Sequence, residues 1–232
     1  MKAMIFAAGL GSRLKQLTQD KPKALVEVNG KPLIEYVINK LKQAGVTDII
    51  INVHHYPQQI IDFVNNHDFG VNINFSLEKD QLLDTGGGLK KASHFFNDGK
   101  PFFIHNVDVI SDINLLEMYD YHLKKNALAT LAVRNRDTQR YFLFDDNNCL
   151  CGRKNLKTNE IVLVPDISPQ VKLYPFAFSG IHVVSPQIFD FMPQEDVFPI
   201  INLYFKVNNK VYAYPHNYGD WKDMGKIEDF VL

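Results

Sequence analysis

The residues best suited to chemistry open the chain. Between Ala7 and Ser12 the sequence runs Ala7-Ala8-Gly9-Leu10-Gly11-Ser12, and basic residues follow at Arg13, Lys21 and Lys23. Ala7, Ala8, Gly9 and Gly11 add almost no side-chain bulk, so an anionic group can approach the backbone N–H groups closely. Arg13 adds a planar, bidentate donor and Lys23 a point charge. This is equipment for a polyphosphate. Two common phosphate motifs are excluded: Gly9 to Leu14 lacks the third glycine of the dinucleotide fingerprint, and no Gly-Lys-Ser/Thr of the P-loop kind is present.

Two carboxylates complement these cations. Asp108 follows the apolar run Phe102–Ile104 in His105-Asn106-Val107-Asp108, and Asp223 lies in Gly219-Asp220-Trp221-Lys222-Asp223-Met224-Gly225. Mg2+ takes few protein carboxylates and completes its octahedron with water and phosphate oxygens, so two aspartates from distant parts of the chain suffice. Asp108 could instead cap a helix near Ile113, a task for which Ser111 or Asp112 is better placed.

A third group surrounds Leu83-Asp84-Thr85-Gly86-Gly87-Gly88. Three glycines permit a close approach, and a flat base or ribose could lie against Thr85 and Gly86. Glu78 could accept from a nucleobase N–H, which both uracil and guanine offer. On the far side, Ser179 and Gly180 present a hydroxyl and an accessible amide at an expected strand end, and Asn106 sits beside Asp108; these are candidate contacts for a sugar phosphate.

Positioning these groups requires an α/β fold. Strands Lys2–Phe6, Asp48–Val53, Asn72–Phe75 and Phe102–Ile104 alternate with helices Leu33–Ala44, Pro57–Asn66 and Leu89–Phe96, the pattern of βαβ units on a parallel sheet. Leu33, Ile34, Val37, Ile38 and Leu41 recur at helical spacing, and Gly45 supplies the stop. Ligands of such sheets collect beyond the carboxyl ends of the strands, where the segments 7–11, 78–88 and 106–108 converge. Further on, the spacing predicts a helix over Leu115–Lys124 and strands at Ala127–Val133, Tyr141–Phe144 and Phe176–Val184. Helices near Pro186–Phe191 and Val197–Phe205, a strand at Val211–Tyr214 and a helix after Gly225 end the chain. The expectation is one domain over 1–232 on a mixed, mainly parallel sheet, with a nucleotide half at about 1–110 and a sugar-phosphate half at about 111–232.

Bulk properties narrow the class. A chain of 232 residues with 46% hydrophobic and 22% charged residues is neither disordered nor fibrous. Its 25 basic and 26 acidic residues leave no excess charge for a general nucleic-acid surface. No apolar run is long enough to span a bilayer, and Lys2–Phe6 begins without a secretory signal, so a soluble, cytoplasmic protein is expected. Cys149 and Cys151 have no further cysteine to complete a metal site and read as reduced thiols. His54-His55 reads as structural.

Together these segments resemble the sugar-1-phosphate nucleotidyltransferases. The small-small-Gly-x-Gly-x-Arg run followed by Pro22-Lys23, with Pro32-Leu33 beyond, matches that signature in order and spacing; Gln16 departs where many members have proline. Asp84-Thr85-Gly86-Gly87-Gly88-Leu89, Phe178-Ser179-Gly180-Ile181 with Val184-Ser185-Pro186, and Trp221-x-Asp223-x-Gly225 look most like the N-acetylmuramate-1-phosphate uridylyltransferases of peptidoglycan recycling, and the likeness runs nearly end to end. The resemblance implies a Rossmann-like three-layer sandwich in which Asp108 and Asp223 hold catalytic Mg2+, although many members have glycine where Val107 stands. It implies transfer of a nucleoside monophosphate, from UTP, to N-acetylmuramate 1-phosphate, with pyrophosphate released and Arg13 and Lys23 as catalytic cations. Mannose- and heptose-1-phosphate guanylyltransferases share the plan and remain the alternative, as does a non-catalytic nucleotide-sugar sensor. A related glycosyltransferase is disfavoured, because Asp108-Val109-Ile110 supplies no D-x-D. The family's Glu-Lys-Pro lysine for the sugar phosphate is missing, and Arg140 is the expected substitute, ahead of Arg153, Lys154 and Lys157. A monomer or small homo-oligomer is expected.

Overall fold

The computed structural model describes residues 1–207 and 210–230, apart from the side chain of Lys15. From the N-terminus run β1 (Lys2–Phe6), β2 (Glu27–Val28), β3 (Lys31–Pro32), α1 (Leu33–Gln43), β4 (Asp48–Val53), α2 (Pro57–Asn65), β5 (Asn72–Leu77), α3 (Asp84–Lys91) and β6 (Phe102–Asn106). There follow β7 (Val109–Ser111), α4 (Leu115–Lys125), β8 (Ala129–Arg134), β9 (Arg140–Phe144), β10 (Leu150–Asn155), β11 (Glu160–Leu163), β12 (Tyr174–Val184), α5 (Ile201–Tyr204), β13 (Val211–Pro215) and β14 (Trp221–Asp223).

One mixed sheet carries ten of these strands. β5, β4, β1 and β6 lie side by side and parallel, as the alternating pattern requires; β12 then pairs antiparallel with β6, and β8 joins β12 with β13 parallel beside it. The early residues of β12 also pair with β9, which continues into β10 and β11. β1 is central because both its faces are apolar: Ala3 and Ile5 pack with α1 on one side, Met4 with α3 and Phe102 on the other, and all three are fully buried. α1 turns its Leu33, Ile34, Val37, Ile38 and Leu41 stripe inward, and Gly45 ends it at φ +78°. The result is the expected α/β sandwich with helices on both faces of the sheet.

Several expected elements shift. The helix expected at Leu89–Phe96 begins five residues earlier, at Asp84, and gives way to a 3-10 turn at Ser93–Phe95. Only Ile201–Tyr204 of the segment 197–205 is α-helical, while Pro186–Phe191 and Ile227–Phe230 are 3-10 turns. β10 and β11 have no counterpart in the sequence reading, because β10 is buried at Leu150–Gly152 and half-buried from Arg153 to Asn155, and β11 leaves the apolar Ile161 and Leu163 exposed, so neither alternates as a half-buried strand does. Cys149 and Cys151 are buried and not joined in a disulfide, and burial pushes the pKa of the Cys149 thiol up to about 11. Among the described residues no helix is long and apolar enough to cross a membrane.

Candidate active site

The loop after β1 is held from its neighbour strand. Phe6 stands opposite Asn52 in the β1–β4 register, and Asn52 Oδ1 accepts the Ala7 N–H at 2.9 Å. Gly11 turns the chain at φ +65°, where a Cβ would lie 2.9 Å from Thr18 Cγ2, and its carbonyl accepts from Thr18 Oγ1 at 3.1 Å. Gly9 is different: no heavy atom lies within 4 Å of a Cβ built there, so its backbone faces open space. Ala7, Ala8, Gly9, Gly11 and Ser12 form one wall of a cleft of about 280 Å³. Leu82, Asp84 and Thr85 form the opposite wall, with Asn106 and Asp108 between them and Arg13, Lys23 and Gly225 at one end.

The charged end is assembled by a two-stranded sheet apart from the main one. β14 runs antiparallel to β7, pairing Asp223 with Val109, and the Met224 N–H donates to the Asp108 carbonyl at 2.8 Å. Asp108 and Asp223 therefore emerge together although 115 residues of sequence separate them. Lys23 Nζ forms an ion pair with Asp108 Oδ2. Asp223 Oδ1 is buried and has no hydrogen-bond partner among the described residues. Burial raises the Asp223 pKa above the usual carboxylate value, the Asp108 charge adds to this, and Lys23 and Arg13 oppose it. An unpartnered carboxylate oxygen beside a second carboxylate is a donor set that suits a small, hard divalent cation. No cluster of three or more metal-ligating side chains exists among the described residues, so any such cation would keep open positions.

Not every expected residue reaches this cleft. Glu78 is 1% exposed, and both its oxygens are occupied: Oε1 accepts from Asn52 Nδ2 at 2.8 Å and Oε2 from the Leu83 N–H at 2.9 Å. It braces the segment before α3 and does not face a base. Gly86, Gly87 and Gly88 form the opening turns of α3 and are buried. The Gly86 N–H donates to the Phe198 carbonyl at 2.8 Å, and a Cβ at Gly86 or Gly87 would overlap Phe198 or Asp196. Gly86 and Gly87 thus serve packing of the segment 196–198 and Gly88 packing against Asn52 and Glu78, and Thr85 alone of the expected pair lines the cleft; its Oγ1 also accepts the Ile200 N–H at 2.9 Å.

Ser179 and Gly180 occupy a bulge within β12, not a strand end: the β12–β8 register shifts between Phe178 and His182, and Gly180 has φ +78°. Ser179 is fully buried, its Oγ bonded to His216 Nε2 at 2.8 Å and its carbonyl to Trp221 Nε1 at 3.0 Å. Gly180 leaves room for Asn106, whose Nδ2 lies 3.1 Å from the position of a Cβ there. These two residues support the site from behind. Arg140 lies outside the cleft, in a pocket of about 500 Å³ with Arg153 and Lys154 over Phe142 and Phe178. That pocket reaches Pro199 and Ile201, on either side of the Ile200 amide bonded to Thr85.

Three contributors escaped the sequence reading. Asn52 ties the phosphate-loop strand to Glu78; its signal is a polar residue near the carboxyl end of an otherwise apolar strand. Leu82 lines the cleft without a sequence signal. Arg136, over the Trp221 ring at 4.4 Å from its centroid, lies near Asp223 only because the β8–β9 connection returns to β14.

Comparison with known proteins agrees with this architecture. Residues 2–232 match the family described as nucleotidyl transferase. A mannose-1-phosphate guanyltransferase of Yarrowia lipolytica is 30% identical over 241 residues, covering all of this chain and 62% of that protein. The corresponding protein of Saccharomyces cerevisiae is 28% identical and covered to 63%. The chain thus spans about three fifths of the length of these relatives. HddC from Yersinia pseudotuberculosis, solved in complex with GMP-PN, superposes with a TM-score of 0.78 at 23% identity over 99% of this chain and 96% of that one. A UDP-glucose pyrophosphorylase complexed with UDP-glucose gives 0.72 at 16% identity, over 99% and 95%. Those two likenesses concern the fold. With its match extending over residues 2–232, this chain belongs to the nucleotidyl transferase family.

Proposed function

We propose that this chain transfers a nucleoside monophosphate from a nucleoside triphosphate to a sugar 1-phosphate, releasing pyrophosphate, with GTP and mannose 1-phosphate as the substrate pair. The observation that carries the reaction is the grouping of Arg13, Lys23 and Asp108 in the lining of one cleft with the backbone of Ala7 to Ser12, with Asp223 close enough to feel the charges of all three. The choice of guanine and mannose is supported by the mannose-1-phosphate guanyltransferase relatives. UTP and N-acetylmuramate 1-phosphate, suggested by the sequence motifs, become the second reading. Their case leaned on the Gly86–Gly88 triplet, and packing against Phe198 and Asp196 at Gly86 and Gly87, and against Asn52 and Glu78 at Gly88, accounts for those glycines.

In this reading the 1–110 half receives the triphosphate and the 111–232 half the sugar phosphate. An oxygen of the sugar phosphate attacks the α-phosphorus in line, the bond from that phosphorus to the β-phosphate oxygen breaks, and the electron pair departs with pyrophosphate. The nucleophile is already anionic, so no protein base is required; alignment and charge dominate the barrier. The Gly9 and Gly11 region admits phosphate oxygens to the backbone, Lys23 neutralises charge beside Asp108, and Arg13 neutralises the leaving pyrophosphate. Asp108 and Asp223, one with an unpartnered buried oxygen, fit Mg2+ as ligands. When bound, the ion supplies positive charge that screens the reacting phosphates from one another. Thr85 and Leu82 close the nucleoside side of the cleft, and Asn106 faces the reacting end.

The test is pyrophosphate release, measured with GTP and UTP against mannose 1-phosphate, a heptose 1-phosphate and N-acetylmuramate 1-phosphate. Turnover with GTP and mannose 1-phosphate is the expected result. Preference for UTP with the muramate replaces it by the second reading, and binding of triphosphate without release of pyrophosphate from any pair favours a sensor.

A further inference from the structure

The reaction above leaves one cation near the carboxylates without a task. Arg136, on the β8–β9 connection, sits over the Trp221 ring and donates from Nη2 to the Phe178 carbonyl at 3.0 Å. Its Nε is buried and has no hydrogen-bond partner among the described residues. Burial lowers the Arg136 pKa and the Asp223 charge raises it, but a guanidinium keeps its proton under such conditions. A buried N–H of a charged group left without an acceptor is costly. Asp223 does not relieve it: the two residues form no ion pair, and Asp223 Oδ1 is unpartnered as well.

Between them opens a second cleft of about 430 Å³, lined by Arg13, Arg136, Lys222 and Lys226 with Asp223 and Asp229. Asp229 Oδ2 accepts the Lys226 N–H at 2.8 Å and Lys226 Nζ pairs with Glu228 Oε1 at 2.8 Å, so Arg13, Arg136 and Lys222 are the cations of this cleft that no ion pair among the described residues engages. Arg13 lines both clefts and makes them continuous at the charged end. The space therefore joins a guanidinium whose Nε no described residue satisfies to a carboxylate with one unsatisfied oxygen, both atoms lying below the surface.

We propose that Arg136 is a ligand of the reacting phosphates: its guanidinium, held against Trp221, takes an oxygen of a phosphate group lodged in the cleft it shares with Arg13. The reading rests on the proposed nucleotidyl transfer. The chemistry required is that of a phosphate, which either the sugar 1-phosphate or the leaving pyrophosphate supplies.

Binding without turnover tests it. Pyrophosphate and mannose 1-phosphate are titrated separately by calorimetry into the wild-type protein, Arg136→Met and Arg136→Lys. The methionine variant is expected to weaken one of the two ligands by about tenfold or more, the loss of one charge-assisted hydrogen bond, and the lysine variant to recover part of it. The ligand affected names the source, and its KM, in the forward direction for the sugar phosphate or the reverse for pyrophosphate, rises in the same variant. If Arg136→Met keeps the wild-type Tm and binds both ligands within about twofold of wild type, or the wild type binds neither, the assignment is overturned. If Arg136→Met does not fold, Arg136→Lys decides: it keeps the charge but lacks the planar guanidinium fork, and unchanged binding by it overturns the proposal. A wild-type protein that shows the Arg136-dependent binding yet turns over no sugar phosphate defeats the proposed function and leaves this site standing.

Discussion

Met224 donates its backbone N–H to the Asp108 carbonyl at 2.8 Å, and this bond extends the β7–β14 pairing by which Asp223 comes to lie beside Asp108. A three-residue strand pair thereby brings two carboxylates together and leaves one oxygen of Asp223 buried without a partner. The arrangement sets a destabilising charge where function calls for one, a recurrent compromise at active sites.

Asp223→Asn is expected to raise the thermal stability of the metal-free protein at neutral pH. The folded pKa of Asp223 is raised by burial and by Asp108, so the stabilising, protonated form is fully populated below the unfolded value near 3.8 and is lost as pH rises through the folded value. At pH 7 the wild type carries the unfavourable buried charge and the amide does not. Added Mg2+ should raise the Tm of the wild type and leave that of Asp223→Asn unchanged. Equal Mg2+ shifts in both proteins would remove Asp223 from the metal site.

Lys23→Met is expected to lower kcat by a factor of about 10²–10³, the usual loss when one charge-stabilising donor is removed from a reacting centre. Lys23 is itself 8% exposed and paired with Asp108, so the substitution also strands a carboxylate. Steady-state pyrophosphate release at saturating substrates measures the effect; full turnover would confine Lys23 to an ion-pairing role.

Gly87→Ala separates packing from ligand contact in the triplet. In an unhindered helix the change stabilises by about 1 kcal/mol. In α3 the new methyl would overlap the Asp196 carbonyl, and overpacking of this kind typically costs about 1–3 kcal/mol. Thermal melts should show a Tm drop of roughly 2–12 °C for a chain of this length. An alanine variant of unchanged or higher Tm with a raised KM for triphosphate would return the glycines to the binding site.

Local chemistry made much of this protein legible from its residues. The apolar run Lys2–Phe6, the small residues after it and the helical stripe from Leu33 to Leu41 each announce their structure within a few positions, because strand burial, backbone access and amphipathic period are local properties. Asp108 was legible too, since a carboxylate just past an apolar strand has to emerge at the sheet's edge. What the residues could not say is what surrounds a group on all sides. Glu78 carries the right atoms for a base, yet Asn52 and the Leu83 amide, from β4 and the segment before α3, take both its oxygens. The same three glycines that suggest an open loop suit a helix pressed against Phe198, and only the approach of a segment more than 100 residues away selects between them. Ser179 is withdrawn behind Trp221 by a bulge in β12, while Arg136 is brought to Asp223 by the return of β14. The sequence by itself determined the sheet and the small-residue loop from Ala7 to Ser12 with its neighbouring cations, because both follow from side-chain size, polarity and period. Tertiary structure decided which polar groups remain free for a ligand, because hydrogen bonds and close contacts are exclusive and their partners come from elsewhere in the chain.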